Sequence, residues 1–276
     1  MRFSLAALTR RIRNPRRKAI ALREIAPTTV LATSLYRATY AHIVAAVGAR
    51  IDRIMAAYSR ALSALIHDSP ADVTAELDGL KQELDRLVLI LTPRMRDWAL
   101  RVESWQRGKW AGAALSATGV DLQTMLGPED VRQSIEATIA WNTSLIKDVS
   151  AQAQLRISAA VFAGLNERRA AVDVAKDIRE AVAMSRTRSV NIAADQLSKL
   201  SSSLDEERMN QAGIEEFIYR HSGKMHPRPW HRARNGRTYE LATGKEVGGG
   251  DVIAPGDGPG QPPFCGCRRQ AVVTFD

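Results

Sequence analysis

From Tyr36 onward the apolar positions fall at Tyr36, Tyr40, Ile43, Val44, Val47, Ile51, Ile54, Met55, Tyr58, Leu62, Leu65 and Ile66. The recurring steps of four, three, one and three keep one face apolar with an 11-residue period, which predicts a helix of about 30 residues, roughly 45 Å long. Ser69-Pro70 reads as an N-cap followed by proline at the first helical position. A second stripe then runs through Val73, Leu77, Leu80, Leu84, Leu87, Leu91, Met95, Trp98, Val102 and Trp105. Pro93 lies inside it, so a kink or break is expected near Thr92. Two such helices joined by Asp68-Ser69-Pro70 should form an antiparallel hairpin.

Gly108 to Gly127 breaks the pattern and reads as a connector. Pro128-Glu129-Asp130 starts a further helix, with acids at its positive end, running through Ile135, Ile139, Leu145, Ile146, Val149, Leu155 and Ile157 to about Phe162. Asn166 can cap a shorter helix carrying Val172, Val174, Ile178 and Val182, and a last helix covers about Ser185 to Glu207. Asp195 within it reads as solvated.

After Gly213 the texture changes. Phe217-Ile218-Tyr219 and Thr238 to Leu241 read as strands, with Asn235-Gly236 as a turn signal between them, and Gln270 to Phe275 as a third. Residues 244–260 hold seven glycines and two prolines and read as a loop. It lacks the Lys-Ser/Thr ending and following helix of a phosphate-binding loop. The predicted fold is mainly α with a small C-terminal α+β module: a long helical hairpin and bundle, then a short-stranded, loop-rich module for which zinc is a candidate staple. The segments are a flexible basic arm (1–26), the hairpin and connector (27–127), a helical part (128–212) and the β-rich module (213–276).

Composition adds limits. Apolar residues are 45% of the 276 positions, which excludes wholesale disorder, and aromatic residues only 5%, which suits helices. The longest apolar run, Leu87 to Leu91, is far short of the roughly 18–20 residues a membrane helix needs. The net charge is +9, and residues 1–23 carry eight cations and no acid. Arg10, Arg11, Arg13, Arg16, Arg17 and Lys18 form the centre of this arm. It reads as a contact for DNA phosphates or an acidic protein, as a solvated tail, or as a segment of mitochondrial-presequence composition. Deleting it should leave an almost neutral, still-folded protein. Neither a base-reading helix nor aromatics placed for RNA stacking are evident.

Cys265 and Cys267 are the two cysteines of the chain, and a bridge between them would close almost no loop. His221, His226 and His231 are three of its five histidines. Zinc takes four nitrogen or sulfur ligands. His226, His231, Cys265 and Cys267 are the candidate set, with His221 as a spare. A module of this size with few large apolar residues gains from such a staple. The alternative is two buried thiols and solvated histidines. His42 and His67 read as structural or exposed.

Three stretches carry a family resemblance. Trp141-Asn142-Thr143-Ser144-Leu145-Ile146-Lys147-Asp148, then Ser185-Arg186-Thr187 with Asn191 and Gln196, then Arg228-Pro229-Trp230-His231 with Asn235-Gly236, Pro262-Pro263 and Cys265-Gly266-Cys267-Arg268 occur in order across residues 130–276. Together they resemble the Mu F-like head morphogenesis proteins, the minor head proteins of tailed phages. Arg188 stands where that pattern has an acid, and the ligand types and spacing of the His/Cys cluster also depart from it. The resemblance implies a non-enzymatic virion protein inside the head near the portal, assembled in the host cytoplasm and acting in head assembly, DNA packaging or ejection. Its partners would be the portal protein, other capsid or scaffold proteins, and packaged DNA through the basic arm. The alternatives are a metal-dependent nuclease on the His/Cys module and a non-specific DNA-binding protein using the arm. A closed four-ligand site would leave a nuclease no position for activated water.

Overall fold

The computed structural model describes residues 2–9, 16–63 and 71–275. It is mainly helical, with one small antiparallel sheet near the C-terminus, as the sequence pattern predicts. The helices are α1 (Leu5–Thr9), α2 (Thr29–Ala38), α3 (Tyr40–Ser63), α4 (Ala71–Thr118), α5 (Arg132–Glu167), α6 (Ala171–Gln211) and α7 (Pro229–Ala233). The strands are β1 (Ala19–Ala21), β2 (Glu216–Arg220), β3 (Thr238–Glu240) and β4 (Arg268–Thr274). No helix among the described residues is long and apolar enough to cross a membrane.

Contacts divide the chain into two units whose limits fall inside the long helices. One unit comprises Ala32–Trp98 and Ile139–Ala193. Here α3 and α4 form the predicted antiparallel hairpin. His42 meets Arg94, Arg50 bonds Glu76 and Glu83, and Arg60 faces Asp72. The proposed cap at Ser69-Pro70 lies outside the described residues. The first stripe is interrupted at Thr39, whose hydroxyl bonds the Leu35 carbonyl. Pro93 does not break α4. Leu91, Met95 and Trp98 are buried on both sides of it, and that burial outweighs the roughly 3 kcal/mol cost of a mid-helix proline.

Helices α5 and α6 also run antiparallel in this unit, joined by the Asp148–Arg188 ion pair, and Arg169 in the turn between them pairs with Asp177 of α6. The two helices expected over residues 166–207 are one. Ser185, the expected start of the last helix, lies inside α6 and bonds back to the Ala181 carbonyl.

The other unit comprises Met1–Leu31, Ala99–Thr138 and Ala194–Asp276. Much of the expected connector is helical: α4 continues past Gly108 and Gly112 because Trp110, Ala111, Ala113 and Ala114 are buried in the core. It stops at Gly119, which takes φ +75° and bonds the Leu115 carbonyl. The buried Arg208 ties this end together, donating to Glu103, Gln211 and the Gly127 carbonyl.

The sheet order is β1-β4-β2-β3, antiparallel throughout. Phe217 pairs with Ala271 on one side and Tyr239 on the other. Period-two alternation points Phe217, Tyr219, Tyr239, Ala271 and Val273 into the core.

The N-terminal segment is not a free arm. Strand β1 pairs Ala19, Ile20 and Ala21 with Thr274, Val273 and Val272. The Phe3 and Leu5 amides bond the carbonyls of Gln211 and Ala212, and Leu5 and Leu22 are fully or nearly fully buried. The expectation that this segment is dispensable for folding is therefore corrected. Its charge hides an apolar framework at Leu5, Leu22 and Ile25. Arg16, Arg17 and Lys18 are exposed just before β1, while Arg10, Arg11 and Arg13 lie outside the described residues.

Candidate metal centre

Three side chains converge between α7 and the start of β4. His231 sits on α7, whose first turn begins with Pro229. Cys265 and Cys267 lie on the segment entering β4. The His231 Nδ1 is 3.6 Å from the Sγ of Cys265 and 3.6 Å from that of Cys267. All three residues are buried, at 2%, 3% and 4% exposure. Their ligand atoms lie within 4.8 Å of one another.

These dimensions fit a metal. A tetrahedral ion about 2.3 Å from sulfur and about 2.0 Å from nitrogen holds such atoms about 3.5 Å apart. The imidazole is also turned correctly. Its Nε2 lies 2.9 Å from Asp257 Oδ1. An Nε2–H donated to that carboxylate leaves the Nδ1 lone pair facing the two sulfurs, the usual arrangement of a carboxylate behind a ligating histidine. Asp257 also accepts from Arg234 Nη1 at 2.6 Å and Trp230 Nε1 at 3.1 Å. Burial opposes its charge, but the bonds from His231, Arg234 and Trp230 win and hold its pKa below the usual value.

The thiols are unequal. Cys267 donates to Cys265, and the amides of Cys267 and Gly260 also face it; against the cost of burial these bonds draw Cys265 toward the thiolate, with a pKa lowered to about 5. Cys267, facing that charge while buried, holds its proton more firmly. At about neutral pH the metal-free pair is thus one thiolate and one thiol. Binding should release about one proton per metal, from Cys267. Calorimetric titration in buffers of different ionisation enthalpy measures this number. Release of about two protons would show that Cys265 is not preionised.

The site departs from the sequence reading at its fourth position. His226 is exposed in the turn before α7 and lies outside the cluster. The two residues after it are Pro227 and Arg228, and helix α7 then carries His231 inward alone. The spare, His221, accepts from the Gly223 amide through Nδ1. Asp251 is engaged by Arg234 and Tyr239. Among the described residues three ligands converge, which leaves the fourth position of a tetrahedral ion to a non-protein ligand. A cavity of about 10 Å³, with room for about one water, is lined in part by Ser201, Ser202, Asp205 and Cys267 but by neither His231 nor Cys265.

Two residues missed in the sequence build this site. Asp257 lies in the glycine-rich loop, where nothing in the spacing marks it. Asp195 reads as solvated but is buried, and its Oδ1 accepts the Phe264 amide at 2.5 Å. Phe264 has φ +57°, the left-handed conformation that non-glycine residues rarely take. The clamp therefore fixes the turn that presents Cys265 and Cys267.

Comparison with known proteins adds little. The chain matches no known family profile and no solved structure. It is 27% identical over 157 residues to a protein of Haemophilus influenzae described only as uncharacterized, an alignment covering 56% of this chain and 33% of that one. The match thus spans about a third of the relative's length.

Proposed function

We propose that this chain is a minor structural protein of a tailed-phage head or phage-like particle, placed inside the capsid near the portal, and that its His/Cys cluster holds a structural zinc. One observation carries the reading. The separate stretches that resemble the Mu F-like proteins, Arg228 to His231 and Cys265 to Arg268, are brought together in one buried ligand cluster. Short strings matching by chance have no reason to meet in space. The first stretch is also built into a core: Asn142 and Ile146 are buried on α5.

Two thiolates and one imidazole suit zinc among the common ions. Burial of all three ligands favours a structural centre over a nuclease, which must admit a phosphodiester.

The test is to purify particles made by the source genome and locate the protein in them by mass spectrometry and labelled cryo-EM. The reading expects a few copies per DNA-filled head, next to the portal vertex. Expression of the protein together with its absence from purified heads would refute it.

A further inference from the structure

The charge of the β-rich module is uneven in a way the near-neutral body conceals. Residues 217–239 hold Arg220, Lys224, Arg228, Arg232, Arg234 and Arg237 and no acid. Asp251 and Asp257 neutralise Arg234, and Glu246 faces Arg237. The other four have no carboxylate partner among the described residues. Lys224 bonds the Phe264 carbonyl and Arg228 the Pro263 carbonyl, both neutral, while Arg220 bonds the Gln270 amide oxygen. Arg232 is exposed on α7, one turn after Arg228.

Large apolar side chains stand in water on the same two segments. Phe264 is 56% exposed, Trp230 50% and Met225 88%. The Lys224 and Arg228 bonds tie the segment carrying Met225 and Trp230 to the one carrying Phe264. Phe264 is also strained. Its amide is clamped by Asp195 and its carbonyl by Lys224, and together they hold an exposed aromatic residue at positive φ. Strain of this kind persists where the surroundings impose it, commonly at binding sites.

We infer that this face is a binding site for single-stranded nucleic acid, with unneutralised cations along the phosphates and Phe264 and Trp230 as stacking platforms for exposed bases. The combination of backbone-tracking cations with aromatic rings is the general recipe for sequence-tolerant single-strand binding. Duplex DNA offers the phosphates but keeps its base faces stacked, so the rings favour single strands. The site is separate from the N-terminal arm and does not depend on the virion reading.

The test is fluorescence anisotropy with labelled oligo-dT and with a duplex of equal length. It uses the full chain and three variants: Phe264→Gly, Trp230→Ala and Arg232→Gln. Because all keep the arm, any binding by the arm cancels in the comparison. Phe264→Gly removes the ring and relieves the strain, since glycine takes positive φ freely. It should keep its metal and melt no lower than the parent, yet bind oligo-dT roughly tenfold more weakly. Trp230→Ala should weaken binding by a similar factor. Arg232→Gln should lower the salt dependence, the slope of log K against log salt, by roughly 0.7. Equal affinity of parent and ring variants for oligo-dT would overturn the inference, as would duplex binding as tight as single-strand binding. Ring variants that bind oligo-dT normally but lose a head protein would also overturn it and mark the face as a protein-docking surface.

Discussion

A chain lacking residues 1–23 will lose the cooperative folding of the unit built around the sheet. The cut removes Leu5 and Leu22 from the core and strand β1 from its pairing with β4. It exposes the main chain of Val272 and Val273 at a new sheet edge and frees the end of α6, where Phe3 and Leu5 bond the Gln211 and Ala212 carbonyls. Each leucine truncated in a packed core costs about 2–5 kcal/mol. Two of them together approach the roughly 5–15 kcal/mol that holds a whole domain together. Leu5→Ala alone should destabilise by about 2–5 kcal/mol and leave the charge of the arm intact. Urea denaturation followed by circular dichroism and tyrosine fluorescence measures both. An unchanged midpoint for the truncated chain would mean that the segment is a detachable tail after all.

Replacing Cys265 and Cys267 by serine has the second large effect. A metal that binds only the folded state adds stability by mass action, about 2.7 kcal/mol when its free concentration is a hundredfold above Kd. The variant should lose that increment and melt first in the module around β2, β3 and β4. Burial of two hydroxyls in place of thiols destabilises in its own right, so the metal contribution needs a separate reading. Adding a chelator should lower the melting temperature of the parent by several degrees and leave the variant unmoved. A parent insensitive to chelator, with the variant still destabilised, would assign the two cysteines to packing alone.

The helical stripes were legible because burial imposes a period on residues that share a face. Val73, Leu80, Leu84, Leu91 and Trp98 all point inward as the spacing requires. Helix ends were harder to read. Pro93 and Gly108 carry local signals for a stop, and tertiary burial on either side overrides both. Strand β1 left almost no trace. Three residues, Ala19-Ile20-Ala21, are too few to show alternation, and the surrounding arginines suggest a tail. At the candidate metal centre the two cysteines and His231 stood out by residue type. His226 shared that type but sits on an exposed turn, a matter of backbone path that spacing does not encode. Asp195 and Asp257 were invisible because their roles depend on contacts 69 and 26 residues away in the chain.

The claim on which the account rests is a metal held by His231, Cys265 and Cys267. X-ray absorption at the zinc edge, on protein purified without chelator, tests it most directly. The account predicts about one zinc per chain with two sulfur ligands, one imidazole nitrogen and a light atom in the fourth position. Protein without stoichiometric metal, or a zinc coordinated by nitrogen and oxygen alone, would contradict it.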